Sequence, residues 1–363
     1  MNIIIFIIIL LVLVLVHEFG HFYTAKKFGI RVDEFGFGFP PKIFSKKYGE
    51  TEYSLNLLPI GGFVKIFGEN PDDENTNGPD RERSFVHKAK WKQAIVLFAG
   101  IFMNFMLAWV LFSIGFMSGL PTSVGGSKSY TVTDVNTVVV SVLPKSPAEI
   151  AGLKAGDKII SVKNKNTSLS EINPDTIKSL IVASANQEVE IGYKRGDSGS
   201  VSLVKLYPTV GPNPSIGIAM DEIGVARLGF FSSIIEGAKL TVYSTVGIVH
   251  GLYRLIIDGV TGKGSLASVT GPVGMVGIVG DAYRFGFVYL LSFAALISVN
   301  LAIVNLLPFP ALDGGRLFFL LIEKIKGSRI NPKFANNANM IGFAILILLM
   351  LVVTYHDVAK LFS

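Results

Sequence analysis

From Asn2 to Val16 the chain carries no charged side chain, and a run this apolar has one stable way to sit in hydrocarbon. Its amides must bond to its own carbonyls, which makes it an α-helix. Before the run ends it meets His17-Glu18-Phe19-Gly20-His21. Two imidazoles four positions apart project from one helical face and can share a metal ion, and a carboxylate beside the first can act on water held there. Ionisable groups within a membrane span are costly and mark functional positions. The plainer explanation is a pair of interfacial histidines at a helix end. A secretory signal peptide is excluded, because the run lacks a basic leading segment and a small-residue cleavage site.

Half of the residues are hydrophobic and only 17% are charged, which points to a polytopic membrane protein. Four segments are long and apolar enough to cross a bilayer, at about 2–25, 93–120, 285–307 and 334–355. With no cysteine in the chain, thiolate sites and disulfides are excluded, and His and carboxylate remain as ligands. The net charge of +6 is not a nucleic-acid signal, and no nucleic-acid partner is expected, since the basic residues cluster beside the spans. Lys26, Lys27, Arg31, Lys42, Lys46 and Lys47 follow the first. Arg81, Arg83, Lys88, Lys90 and Lys92 precede the second, and Lys324, Lys326 and Arg329 lie between the last two. The positive-inside rule then puts loops 26–92 and 324–333 in the cytosol, with both termini and 121–284 outside. His17 lies nine residues before Lys26, roughly 14 Å inside the cytosolic boundary, so a water-filled cavity open to the cytosol is expected.

Between the first two spans, the loop 30–92 is rich in strand signals. Phe35-Gly36-Phe37-Gly38-Phe39-Pro40 alternates glycine and aromatic, and 52–67 holds period-two stretches broken by Pro59-Ile60-Gly61-Gly62. One reading is a small cytosolic β-region with no role in a site. The other has a strand edge near the metal hold an extended substrate by β-addition, with Asn56, Leu57, Gly61 and Gly62 as its substrate-binding residues. The stretch from Glu69 to Arg83 is polar and reads as a linker. Residues 125–208 form short β-rich stretches, at 137–142, 158–163 and 189–194, separated by polar turns. Within them, Ser146-Pro147-Ala148-Glu149 through Gly156-Asp157 and Lys158-Ile159-Ile160-Ser161-Val162 resembles the PDZ signature. Such a module binds a peptide as an added strand, or serves as a spacer or size filter.

In the region 228–284, Phe231, Ile235, Ala238, Val242, Val246, Val249, Tyr253 and Ile256 recur at steps of three and four. They predict an amphipathic helix lying on the membrane surface, followed by a linker. Late in the chain, Pro308 and Pro310 break the third span, and Asp313 follows directly. Irregular backbone at that depth requires shielding by protein or a cavity. Asp313 taken alone reads more readily as an ordinary helix-capping or interfacial carboxylate.

His17-Glu18-Phe19-Gly20-His21 followed by Asn305-Leu306-Leu307-Pro308-Phe309-Pro310-Ala311-Leu312-Asp313-Gly314 resembles the site-2 protease family of intramembrane zinc metalloproteases. Phe35–Pro40, Leu58–Lys65, Ala99-Gly100-Ile101-Phe102-Met103-Asn104, the PDZ signature and Gly271-Pro272-Val273-Gly274 extend the likeness over nearly the whole chain. The arrangement is similar to the bacterial regulator-of-sigma-E protease branch, with one PDZ module in place of two and Ile101 where proline often follows Ala-Gly. The resemblance implies a Zn2+ cofactor held by His17, His21 and Asp313, with Glu18 as general base and then proton donor. It also implies that Asn305 holds the substrate backbone or stabilises the oxyanion. The expected architecture is a polytopic α-helical membrane protein of about four transmembrane helices. Its expected domains are an N-terminal membrane region 1–120, an extracytoplasmic PDZ (α+β) domain 125–208, the 228–284 segment and a C-terminal membrane region 285–363. The expected location is the bacterial inner membrane, in contact with lipid. The expected partners are single-span membrane proteins such as anti-sigma factors or signal-peptide remnants, cut by regulated intramembrane proteolysis, and a peptide ligand of the PDZ module.

Two other function classes compete. A membrane-embedded PDZ peptide-binding regulator with a structural metal leaves Glu18 without a task. A zinc or proton transporter needs polar residues along several spans or paired repeats, and the spans 93–120 and 334–355 carry no charge.

Overall fold

The computed structural model describes residues 1–70, 77–125, 130–196, 200–209, 214–262 and 270–362. Residues 71–76 of the expected polar linker and 263–269, between the amphipathic helix and the third span, lie outside the described residues. The chain divides into two compact units, one of residues 1–113, 234–280 and 291–363, the other of 114–233 and 281–290.

The first unit is built on helices. The opening run forms α1 (Asn2–Lys27), and the second apolar segment forms α2 (Lys90–Ser118). The chain continues through α5 (Phe230–Val260), α6 (Pro272–Phe285) and α7 (Phe287–Leu306) to α8 (Asp313–Lys326) and α9 (Pro332–Phe362). The two shortest helices, α3 and α4, belong to the second unit. By length and composition five helices can cross a membrane: α1, α2, α5, α7 and α9. That is one more than the four expected. The additional helix is α5, whose 31 residues run unbroken and which is the least apolar of the five. Ala108 and Phe112 of α2 pack with Ala295, Val299 and Ile303 of α7, and Leu240, Ile248 and Leu252 of α5 lie against that cluster.

The loop after α1 folds as two long antiparallel strands, β1 (Val32–Tyr48) and β2 (Thr51–Ile66). Both strands bend, so their register makes four rungs. Residues 32–37 pair with 62–66 on one side, 34–37 pair with 52–55 on the other, and 42–48 pairs with 51–56. The segment 62–66 is therefore an edge of this sheet. Ala25, Ile30, Val32, Ile66 and Phe85 form a buried cluster with Val96 and Leu97 of α2, which anchors the sheet to the helices.

The second unit carries a six-stranded antiparallel sheet in the order β3-β8-β4-β5-β6-β7. Its strands are β3 (Leu120–Ser123), β4 (Thr133–Val142), β5 (Lys158–Asn164), β6 (Val189–Lys194), β7 (Ser202–Leu206) and β8 (Ile218–Ala226). Two short helices accompany it: α3 (Pro147–Ile150), capped by Ser146, and α4 (Pro174–Ala183), opened by an Asn173–Thr176 capping box. Val139, Val162, Ile177, Val189 and Ile191 are fully buried between sheet and helices. The fully buried Asp157 takes both Nε and Nη2 of Arg195, at 2.6 and 2.7 Å. The positive φ of Gly156 leaves room for Phe285, whose ring would be 2.1 Å from a Cβ there.

Candidate active site

Positions 17 and 21 fall on the buried face of α1 because side chains four apart on a helix lie one above the other. On α2 the same spacing stacks Val96, Gly100 and Asn104 along the face opposite. The helices meet closely: a Cβ at Gly100 would lie 2.3 Å from His21 Nε2, so a larger residue there would occupy the site.

The third arm comes from the break after α7. Ala311 takes a positive φ, and its amide is held by Asn339 Oδ1 at 3.1 Å. The chain then doubles back so tightly that a Cβ at Gly314 would stand 2.3 Å from the Leu306 carbonyl oxygen. This reversal puts Asp313 at the first position of α8, where a carboxylate suits the positive end of the helix dipole.

His17 Nε2 and His21 Nε2 are 3.2 Å apart, and Asp313 Oδ2 lies 3.0 Å from the first and 3.2 Å from the second. The three atoms form a nearly equilateral triangle. Ligand atoms about 2.1 Å from a tetrahedral ion stand about 3.4 Å apart, close to these separations. Both histidines are buried, and Asp313 Oδ2 has no hydrogen-bond partner of acceptable alignment although it touches two ring nitrogens. A divalent cation answers that clustering of lone pairs, and the two-imidazole, one-carboxylate donor set suits zinc. His21 Nδ1 lies 2.8 Å from the Val96 carbonyl oxygen and donates to it, which leaves the Nε2 lone pair free for a cation. His17 Nδ1 faces the Asn104 amide at 3.1 Å.

Glu18 turns to the sheet. The Val64 backbone amide donates to its carboxylate, and a Cβ at Gly62 would sit 3.8 Å from its Cγ. The edge segment 62–66 therefore runs beside Glu18. Of the other expected substrate-binding residues, Leu57 is exposed and Gly61 packs near Phe39. Asn56 is buried and its amide is spent on the Phe37 and Gly38 carbonyls, inside the sheet. The half-buried Asn305 stands in the last turn of α7, and no hydrogen bond joins it to the three-residue group among the described residues. Three neighbours of the site had no role assigned from sequence: Val96, Gly100 and Asn104. The signal for them was a glycine and an amide four apart within an apolar span.

The profile of peptidase family M50 matches residues 5–349. The chain is 36% identical over 360 residues to a Clostridium acetobutylicum protein provisionally named a zinc metalloprotease, covering 98% of this chain and 97% of the other. It is 32% identical over 438 aligned positions to zinc metalloprotease RasP of Geobacillus kaustophilus, at 99% and 98% coverage. Against the regulator of sigma-W protease RasP of Bacillus subtilis the identity is 31% over 438 positions, with 99% of each chain covered.

Proposed function

Because the chain belongs to peptidase family M50, we propose that this multi-pass membrane protein hydrolyses peptide bonds within or beside the transmembrane segment of single-span membrane proteins. It is a zinc metalloprotease of the site-2 protease family. One observation carries the finer reading: two imidazoles and a carboxylate from distant helices converge in a buried triangle, with a second carboxylate beside it.

In this reading His17, His21 and Asp313 hold the ion and Glu18 is the base. When bound, zinc supplies Lewis acidity towards water and towards the scissile carbonyl. The Glu18 carboxylate takes the proton released as water adds to that carbonyl, then returns it to the departing amine nitrogen. Hydrolysis is balanced by that single proton shuttle. The Val64 amide orients the Glu18 carboxylate meanwhile. Asn305 is assigned to the substrate backbone or the oxyanion, a task for which a neutral amide donor is suited.

Substrate selection follows from the backbone. An intact membrane helix has all its amides paired, so the target must open locally, and weak helix formers near the cut favour opening. The opened strand has the sheet edge at 62–66 to pair with, next to Glu18. Water entry from the cytosolic side is supported by a cavity of about 220 Å³ that reaches Leu97, beside Val96, and Arg316, one turn past Asp313. Residues 125–208, within the second unit, are assigned as the single PDZ module, extracytoplasmic, binding peptide or restricting substrate size. The name of the B. subtilis relative, regulator of sigma-W protease, makes membrane-anchored anti-sigma factors the first substrates to try.

The experiment is cleavage of a labelled single-span peptide by the purified full chain in detergent, with and without a zinc chelator. Chelator-sensitive cuts inside the apolar segment are expected. Cuts confined to the soluble flanks, or cleavage indifferent to the chelator, would overturn the reading.

A further inference from the structure

Asn104 is fully buried in α2, and its side-chain Oδ1 has no hydrogen-bond partner. An amide oxygen buried without a protein partner is costly. The other end of the same amide, Nδ2, faces His17 Nδ1 at 3.1 Å. The residue is also fixed in place from behind, since Ser298 Oγ of α7 donates to its backbone carbonyl at 2.8 Å.

Two protonation patterns of His17 need opposite partners at Nδ1. With Nε2–H directed at His21 Nε2, 3.2 Å away, Nδ1 is an acceptor and the Asn104 amide donates to it. With the Nε2 lone pair given to a cation, Nδ1 carries the hydrogen, and two donors would face each other across 3.1 Å. Rotating the amide about its last torsion removes that clash by presenting Oδ1. The exchange loses no hydrogen bond, because Oδ1 has none in its present place.

We propose that Asn104 is the positioning residue of His17, a reversible amide that donates to the free imidazole and accepts from the metal-binding one. The inference rests on the reading of His17 as a zinc ligand. An amide can do both without adding charge to the bilayer interior; an aspartate carboxylate accepts only, and a leucine does neither. Asn104 is not one of the three converging ligand residues and meets His17 at Nδ1, so its influence runs through the orientation and tautomer of that ring.

The test is the zinc dissociation constant of the purified full chain, measured by competition with a chromophoric chelator. Outer partners of ligating histidines typically account for about 10–100-fold in metal affinity. Asn104→Leu is expected to weaken zinc by about that factor, and Asn104→Asp to return affinity to within a few-fold of the parent. Asn104→Ala carries the same expectation as the leucine variant if that one does not purify. A leucine or alanine variant that binds zinc like the parent overturns the proposal, as does an aspartate variant no better than leucine. His17→Ala is measured beside them. If it retains zinc with parental affinity, the ligand assignment fails; if it loses zinc while Asn104→Leu keeps it, the role of Asn104 alone fails.

Discussion

Gly20 of α1 meets Ala99 of α2 so closely that a Cβ at Gly20 would stand 2.4 Å from the Ala99 carbonyl oxygen. The obstacle is backbone, which cannot rotate aside, and it sits one residue from His21 and three from Val96. Gly20→Val should therefore push the helices apart, at a cost of about 1–3 kcal/mol typical of overpacking. His21 would lose the Val96 carbonyl with that movement. Thermal melting and zinc content should fall together; a variant with parental melting and full zinc would contradict the close approach.

Glu18 is placed against β2 and outside the triangle of His17, His21 and Asp313. Glu18→Gln should thus keep its zinc on elemental analysis while cleavage of a single-span peptide drops about 10²-fold or more. Undiminished turnover in zinc-replete Glu18→Gln protein would remove Glu18 from the role of base.

A Cβ at position 62 would stand 3.1 Å from the Gly36 carbonyl oxygen and in contact with Glu18 Cγ at 3.8 Å, so a bulky side chain there would crowd the space beside Glu18. Gly62→Leu should lower cleavage at least about tenfold, a loss of roughly 1.4 kcal/mol in transition-state stabilisation, with zinc content unchanged. The counter-result is full activity, which would mean that an extended substrate does not run along 62–66.

In the second unit, Asp157 is fully buried and bidentate to Arg195, which is itself partly exposed. Removing the carboxylate strands a guanidinium beside the core. Asp157→Ala should destabilise this unit by about 2–4 kcal/mol, below the full range for a wholly buried pair. Limited proteolysis should then cut between β4 and β7 sooner than in the parent. Unaltered protection of that region would show the pair to be dispensable.

The membrane segments were legible because apolarity and length are local properties: α1, α2 and α7 fall within a few residues of their predicted limits, while α9 runs on to Phe362, past the expected end at about 355. Strands β4, β5 and β6 were legible for the same reason, through period-two alternation. Counting spans was harder. The stripe along α5 predicts a surface helix, yet its length and apolar content also satisfy a crossing. Pairing partners were out of reach as well. Nothing local states that β1 bends and pairs on both sides, leaving 62–66 as an edge, or that Asn56 is consumed inside the sheet. The histidine pair announced itself by spacing, whereas Asp313 became meaningful only beside a family resemblance. Asn104 lay within a quoted motif, but its partner is on another helix, and single-sequence patterns do not report contacts between helices.

The Gly314–Gly315 reversal delivers the last arm of the metal triangle from almost the far end of the chain. During synthesis, α1 enters the bilayer with its two imidazoles long before the ribosome has made Asp313. If His17, His21 and Asp313 hold the ion together, a growing chain that has not reached Asp313 offers only the two imidazoles to a cation. The three-point grip, and the hydrolysis that would depend on it, then wait for the later helices to be made and inserted.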